Sequence, residues 1–389
     1  IWDGKYKFPI AEPYLLKTHT VLEVIESQPH YRLVPVEKQA NYACWFNFFE
    51  IPELNTKDPE VKAHLIEASL KWIRLGIDGF RLDVPDLLAG AHEFWKEFRQ
   101  AINEEAFKLG KNPEEFCIIG EIWTDGQITN SYLLADETAR PYRFDSVMNY
   151  SVRENVLNFL TDEILVPSMD EVQGYGEISV SELDRNIHKN IEGFSWGTSK
   201  AQFNCFSSHD TRRIRTVMKD DKKLKAALLM QFTLVGAPTI YYGDELGMFG
   251  GKDPLNRATI KWDIESDVEH HKAEFEIFNY YKKLINLRNE LSCLDNSPVI
   301  TVNIDEYTKA YAYARYVDND NCALIAIFKN GIGDEYVLNI SGLPFSDVLC
   351  WVDPISGREY VNYGQSITFC SKDLEGSNGI ILLPGKCIE

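Results

Sequence analysis

Between residues 57 and 296, apolar strand-like runs alternate with amphipathic helices, and no other feature of the chain restricts its fold so strongly. A strand that leads through a helix into the next strand of the same sheet must cross over, so the sheet is parallel and covered by helices on both faces. Asp58 as N-cap and Pro59 at the first helical position announce the first helix, with Val61, Leu65, Ala68, Trp72 and Ile73 at helical spacing and Gly76 as its stop. Residues 77–84 (IDGFRLDV) then read as a strand. A second helix follows, with Phe94, Trp95, Phe98, Ile102 and Phe107 as its buried stripe and Gly110 as its end. Residues 116–123 (FCIIGEIW), 143–150 (RFDSVMNY), 202–208 (QFNCFSS) and 237–242 (APTIYY) supply four further strands. Helical stretches near 151–161, 181–192 and 220–235 separate them, and 267–292 closes the series. The class is α/β, with five strand–helix units where eight would close a barrel. After residue 296 the pattern changes to short alternating runs, from VITVNI to GIILLPG, separated by Gly, Asn and Asp turns, which predicts an all-β sandwich.

Charge removes several partners. The formal net charge of −19, from 40 basic and 59 acidic residues, argues against a nucleic acid, whose phosphates need a positive footprint, and against an anionic membrane surface. No apolar run is long enough to span a bilayer. A neutral, hydroxyl-rich ligand suits the supply of 8 Trp, 19 Tyr and 21 Phe, although most such rings belong to cores. The eight cysteines form no C-x-x-C pair and no zinc spacing, and Cys117 and Cys205 lie in strand runs, where a thiol behaves as a small hydrophobe. Reduced thiols point to the cytoplasm rather than to secretion; a chain that starts at Ile1 leaves a removed signal peptide open.

Three carboxylates fall where strands end: Asp83 after G-F-R-L, Glu121 in G-E-I-W and Asp210 in S-S-H-D-T. In parallel α/β proteins the loops after the strands line one face, and catalytic groups gather there. Arg81 and Asp83 are two residues apart on one strand, so they leave the same face, and a guanidinium there would hold the carboxylate ionised. Ile119, Ile122 and Trp123 give Glu121 an apolar setting of the kind that suits a proton donor. Each residue alone is more often a cap, a surface charge or core; an arginine, a histidine (His209) and three acids all at strand ends are harder to dismiss.

G-F-R-L-D-V, G-E-I-W and S-S-H-D-T resemble, in order, three hallmark segments of the α-amylase family. I-P-E-L-N at 51–55 looks like the segment closing that family's small inserted domain, and the G-A-P-T-I-Y-Y-G-D-E-L-G-M run at 236–248 looks like its eighth strand and loop. F-D-S-V-M-N-Y at 144–150, G-G-K-D-P-L-N-R at 250–257 and W-D at 262–263 resemble the neopullulanase, cyclomaltodextrinase and maltogenic-amylase branch. The resemblance implies a (β/α)8 TIM barrel lacking its N-terminal strands, with residues 1–56 as the remainder of the inserted domain, 57–296 as strands 4–8 of the barrel and 297–389 as the sandwich. It implies Asp83 as nucleophile, Glu121 as general acid/base and Asp210 as transition-state stabiliser. Arg81, His209, Trp123, Asp253 and Arg257 are implied as sugar contacts, with Tyr42 and Trp45 in an aromatic lip.

The chemistry so implied is a retaining cleavage of α-1,4- or α-1,6-glucosidic bonds in starch, maltodextrins, cyclodextrins or pullulan, with water or another sugar as the acceptor and without an organic cofactor; calcium does not follow from these residues. A non-catalytic, carbohydrate-binding or partner relative is a second class, set against by the presence of all three acids, and an inert fragment that keeps the acids in an incomplete barrel is a third. The strands at 77–84 and 237–242 are expected to be the ends of the parallel sheet, to be covered by further polypeptide, either upstream sequence or a second chain, with a homo-oligomer as another possible assembly. The loop after the nucleophile reads V-P-D-L-L where the branch more often has V-x-x-E, a departure that bears on substrate choice.

Overall fold

The structure, a computed structural model, describes residues 51–88, 90–123, 133, 144–161, 163–165, 172–175, 178–260, 262, 272–374 and 376–385. The chain divides into two compact units, 1–145 and 146–389.

In the first unit, helix α1 (Pro59–Arg74) starts as the sequence dictates: the Asp58 carboxylate accepts from the amides of Glu60 and Val61, and Pro59 fills the first position. Gly76 follows it at φ 103°, the left-handed geometry that glycine tolerates. Strand β1 (Gly79–Leu82) leads to helix α2 (Ala91–Lys108) and then to strand β2 (Cys117–Gly120). The two strands pair in parallel, with Gly79 opposite Cys117 and Leu82 opposite Gly120. Two ion pairs join the helices, Lys62–Glu97 at 2.6 Å and Arg74–Glu105 at 2.5 Å.

Two aromatic positions differ from the sequence expectation. Phe107 is 76% exposed and Trp72 54% exposed. The buried stripe of α2 runs Phe94, Phe98, Ile102, Ala106, a strict four-residue spacing with Trp95 beside it, and Phe107 stands about 100° around the helix from Ala106. On α1 the buried residues are Leu70 and Ile73, and Trp72 lies one residue off that line. Side-chain size suggested the aromatics; helix geometry selects their smaller neighbours.

The second unit runs β3 (Ser146–Val147), α3 (Tyr150–Leu160), the hairpin β4 (Glu163–Leu165) and β5 (Val172–Tyr175), α4 (Val180–Glu192), α5 (Trp196–Ala201) and β6 (Phe203–Cys205). It continues through α6 (Ile214–Met218), α7 (Asp221–Thr233), β7 (Ala237–Thr239), α8 (Lys272–Glu290) and α9 (Ser292–Asn296). β6 and β7 are parallel, Phe203 opposite Ala237 and Cys205 opposite Thr239, and Met148 makes a further parallel bridge to Phe203. The predicted strands are therefore present but shorter than their apolar runs, which extend into the loops at either end. The short helices α5, α6 and α9 and the β4–β5 hairpin escape the sequence reading because each is too brief to show a period.

A knot of amides sits around β6. Asn149 Nδ2 donates to the side-chain oxygens of Asn204 (2.9 Å), Gln202 (3.2 Å) and Asn190 (3.2 Å). Asn204 Nδ2 in turn donates to Val235 O, and Gln231 Nε2 to Asn204 O. Gly236 presses on this knot at φ 123°, where a Cβ would fall 2.4 Å from Asn204 Oδ1.

In the C-terminal region the strands pair antiparallel. Strands β8 (Val299–Asp305), β9 (Ala310–Asp318) and β10 (Asn321–Phe328) form a meander. With β11 (Glu335–Asn339), β12 (Cys350–Val352), β13 (Glu359–Val361), β14 (Ser366–Cys370) and β15 (Gly379–Pro384), the region has a six-stranded sheet ordered β13-β12-β15-β10-β9-β8 and a two-stranded β11–β14 ribbon. The residues of β9 and β10 alternate between two cores. Tyr311, Tyr313, Ala323, Ile325 and Ile327 join the helical side, together with Phe159, Leu183, Leu228 and Tyr281. Ala312, Ala314, Leu324, Ala326 and Phe328 join the other side, together with Leu338, Phe345, Trp351 and Phe369. The expected sandwich is thus a sheet with one face on the ribbon and the other on the barrel helices.

Candidate active site

β1 and β2 end level with each other, and the next residues outward are Asp83 and Glu121; the Glu121 amide still donates to Leu82 O at 2.9 Å. Gly120 is needed just before Glu121 because the Phe144 ring lies over its backbone, 2.9 Å from where a Cβ would be. Trp95, which stacks edge-on against Phe144, donates from its indole to Pro85 O at 2.7 Å, so α2 also fixes the loop after β1. Within that loop Val84 adopts φ 31°, a left-handed conformation that is costly for a β-branched side chain and that recurs at functional sites. Its amide points at Glu121 Oε2, 3.3 Å away.

Arg81 reaches both acids. One guanidinium nitrogen lies 2.5 Å from Asp83 Oδ1 and the other 2.7 Å from Glu121 Oε1. The environments of the two carboxylates differ: the Asp83 side chain is 72% exposed, and that of Glu121 only 2%. The arginine–aspartate pairing expected from spacing is present. Glu121 is buried, and the Arg81 guanidinium lies against it. In the same loop, burial raises the Asp86 carboxyl above the ordinary aspartate range, opposed by a backbone hydrogen bond. Trp123, two residues beyond Glu121, is half-buried.

Asp210 belongs to the second unit, on the loop that follows β6. His209 Nε2 lies 3.0 Å from its Oδ2 and Arg257 Nη2 3.4 Å from its Oδ1. Arg257 Nε is also 2.8 Å from Asp253 Oδ1 and donates to His209 O at 3.0 Å. Four predicted residues, Asp210, His209, Asp253 and Arg257, therefore come together, as do Arg81, Asp83 and Glu121 in the first unit. Tyr42 and Trp45 lie outside the described residues.

Two buried residues that sequence reasoning passed over complete the second group. Asn256, fully buried, donates through Nδ2 to the main-chain oxygens of Ser208 (3.3 Å), His209 (2.7 Å) and Thr211 (2.9 Å). Arg213, also fully buried, donates to Tyr242 O at 2.6 Å and to Asp244 Oδ1 at 3.1 Å, and its guanidinium lies over the rings of Tyr241 and Tyr242. It ties the loop after β6 to the loop after β7. Burial pushes the Asp244 carboxyl up to about 7, outweighing the Ser207 hydroxyl and Arg213. Among the described residues no group of three or more His, Cys, Asp or Glu is placed to hold a metal ion. Nor is any described helix long and apolar enough to cross a membrane.

Residues 36–297 match the alpha amylase catalytic domain. The chain is 33% identical over 319 residues to a Bacillus cyclomaltodextrinase, covering 81% of this chain and 50% of that one. It is 36% identical over 301 residues to the cyclomaltodextrinase of Geobacillus thermopakistaniensis (76% and 45%), and 32% identical over 310 residues to neopullulanase 2 of Thermoactinomyces vulgaris (79% and 46%). It therefore spans about half the length of the curated relatives it matches. Among solved structures, a cyclomaltodextrinase superposes with a TM-score of 0.72 at 26% identity, covering 90% of this chain and 53% of that one. A Nostoc punctiforme debranching enzyme gives 0.69 at 26% identity, covering 92% and 67%. The parallel strand–helix series is that of a TIM barrel, followed by an antiparallel β-sheet, and the chain belongs to the α-amylase family.

Proposed function

We propose that the chain hydrolyses α-glucosidic bonds of starch-like glucans by a retaining double displacement, with Asp83 as nucleophile and Glu121 as general acid/base. The observation that carries this reading is the single guanidinium of Arg81 engaging both carboxylates at adjacent strand ends, one open and one buried. In the first step an Asp83 oxygen bonds to the anomeric carbon as the glycosidic C–O bond breaks, and the Glu121 proton goes to the leaving oxygen. In the second, Glu121 takes a proton from water, or from a sugar hydroxyl, as that oxygen displaces Asp83. Asp210 is assigned the stabilisation of positive charge on the sugar ring, an electrostatic effect that is often the largest in catalysis. Arg81, His209, Trp123, Asp253 and Arg257 are assigned sugar contacts, and no organic cofactor enters either step.

The substrates we propose are maltodextrins and cyclodextrins, cut at α-1,4 bonds, with pullulan and its α-1,6 bonds as the further class. The names of the similar proteins, cyclomaltodextrinase and neopullulanase, support this range. The cytoplasm is the proposed compartment: Cys293 and Cys322 are buried free thiols, and one similar protein is named an intracellular maltogenic amylase. Release of reducing sugar from maltotriose, cyclodextrin and pullulan tests the proposal, with Asp83→Ala as the control. Turnover should fall in that variant by at least about 10³-fold while its far-UV spectrum stays unchanged, because Asp83 is exposed and packs against little. Equal rates for the two proteins would remove Asp83 from the mechanism, and glucan binding without turnover by either would favour a non-catalytic carbohydrate-binding protein.

A further inference from the structure

We propose that Asn256 is a positioning residue for Asp210, an inference that rests on the charge-stabilising role assigned to Asp210 above. The carboxylate of Asp210 is 36% exposed, and the two side chains that touch it, His209 and Arg257, are 41% and 45% exposed. Ion pairs this open to water constrain geometry weakly. The constraint comes instead from the backbone beneath. Asn256 Nδ2 donates to the carbonyls of Ser208, His209 and Thr211, which bracket Asp210 on both sides. An amide nitrogen carries two hydrogens, so the three acceptors share them, and all three carbonyls are drawn to one point.

The orientation of the amide is fixed by the same contacts. Among the described residues nothing donates to Asn256 Oδ1, and a flipped amide would set that oxygen against three carbonyl oxygens. Asn256 is itself held firmly. It sits in the turn Leu255–Arg257, and Gly250 approaches so closely that a Cβ there would fall 2.8 Å from Asn256 Cα. Two side-chain bonds continue the same construction: Ser208 Oγ accepts from the Asp210 amide at 3.1 Å, and Thr211 Oγ1 from the Ser208 amide at 2.8 Å. The loop carrying Asp210 is thus pinned on a buried amide supplied by the 250–257 segment, whose Asp253 and Arg257 are the sugar contacts proposed above. That segment then has two tasks, one toward the sugar and one toward the acid.

A buried amide could equally hold the fold together and nothing more, so the test needs readouts that a purely structural role would not move. The rate per active site is measured for wild type and Asn256→Ala on an activated aryl α-maltoside, with sites counted by a mechanism-based inactivator. We expect kcat per titrated site to fall about 10–10²-fold with KM changed less than about threefold, the scale of a small misplacement at a reacting centre. In a double-mutant cycle, Asn256→Ala should add no further loss to Asp210→Asn, because the amide acts through that carboxylate. Unchanged kcat per site, a loss confined to the number of titratable sites, or losses that multiply in the double variant would each overturn the proposal. If Asn256→Ala yields no folded protein, Asn256→Ser, which keeps one donor, is scored in the same assays by the same outcomes. Wild-type turnover no faster than that of Asp83→Ala would instead sink the proposed function, a result separate from any of these.

Discussion

Arg81 is the residue through which the two proposed catalytic acids are coupled, and its position shows how far a sequence can be read. Its pairing with Asp83 follows from a spacing of two along a strand. Its pairing with Glu121 does not, because that bond depends on the register of β1 against β2, which brings together residues 40 apart in the chain. Glu121→Gln is predicted to lower turnover of unactivated glucans by about 10²–10⁴-fold and that of aryl glucosides with good leaving groups far less, since these need no proton. Comparing kcat/KM on the two substrate types checks this, and equal losses on both would rule out proton donation by Glu121. The acids were legible because they terminate recognisable strands. Asn256 was not: an asparagine between Asp253 and Arg257 looks like a turn residue, and nothing in its neighbours reveals a buried amide aimed at three carbonyls.

Among the elements, the start of α1 and the ends of α1 and α2 could be read to within a residue or two because Asp58, Pro59, Gly76 and Gly110 are chemical signals, whereas the strands could be located but not measured. An apolar run continues past the last ladder bond into the following loop, as in residues 237–242, where the strand itself stops at Thr239. The turn into β7 provides a test of local geometry. Gly236→Ala should destabilise the protein by about 3 kcal/mol or more, combining a left-handed backbone with a collision against Asn204, and a midpoint shift in denaturant measures it. The loop after β7 provides another. Burial pushes the Asp244 carboxyl up to about 7, so its protonated form is the one the fold favours. Its contribution is therefore fully present below about pH 4 and is lost as pH rises through 7. Asp244→Asn should gain on the wild type over that window by up to about 1.4 kcal/mol per pH unit, followed by denaturant midpoints at several pH values. The opposite trend would mean that Arg213 keeps Asp244 ionised and that a buried ion pair ties the two loops.

On the scale of the whole molecule, the second unit is held as one body by a guanidinium as well as by its shared core. Arg315 on β9 is fully buried and donates to Ser297 O, Leu294 O and Thr233 O at 2.6–2.9 Å, joining the antiparallel sheet to α7 and α9. Burial lowers its pKa to about 10, which leaves it charged at neutral pH. Arg315→Met should cost about 3 kcal/mol or more, because three carbonyls lose their donor, and the denaturation midpoint should fall with the slope unchanged. The sequence marked a change of pattern near residue 296 and so suggested a separable module; that the sheet's tyrosine face completes the helical core could not be seen, since alternation says which residues share a face and not what covers it.

That two-faced sheet sets which insertions and deletions the gene can accept. Along β9 the odd positions carry Tyr311, Tyr313 and Arg315 to the helices, and the even positions carry Ala310, Ala312 and Ala314 to the ribbon. Loss of a single codon within 310–316 would exchange the two sets, forcing tyrosines into space shaped for methyl groups and leaving voids where the rings had been. Gain or loss of a codon at the exposed Asn319–Asp320 turn would shift neither strand's face. Tolerance to length variation should therefore be lowest inside this strand and recover within a few residues, a contrast that a library of single-codon insertions and deletions across 308–322 would display.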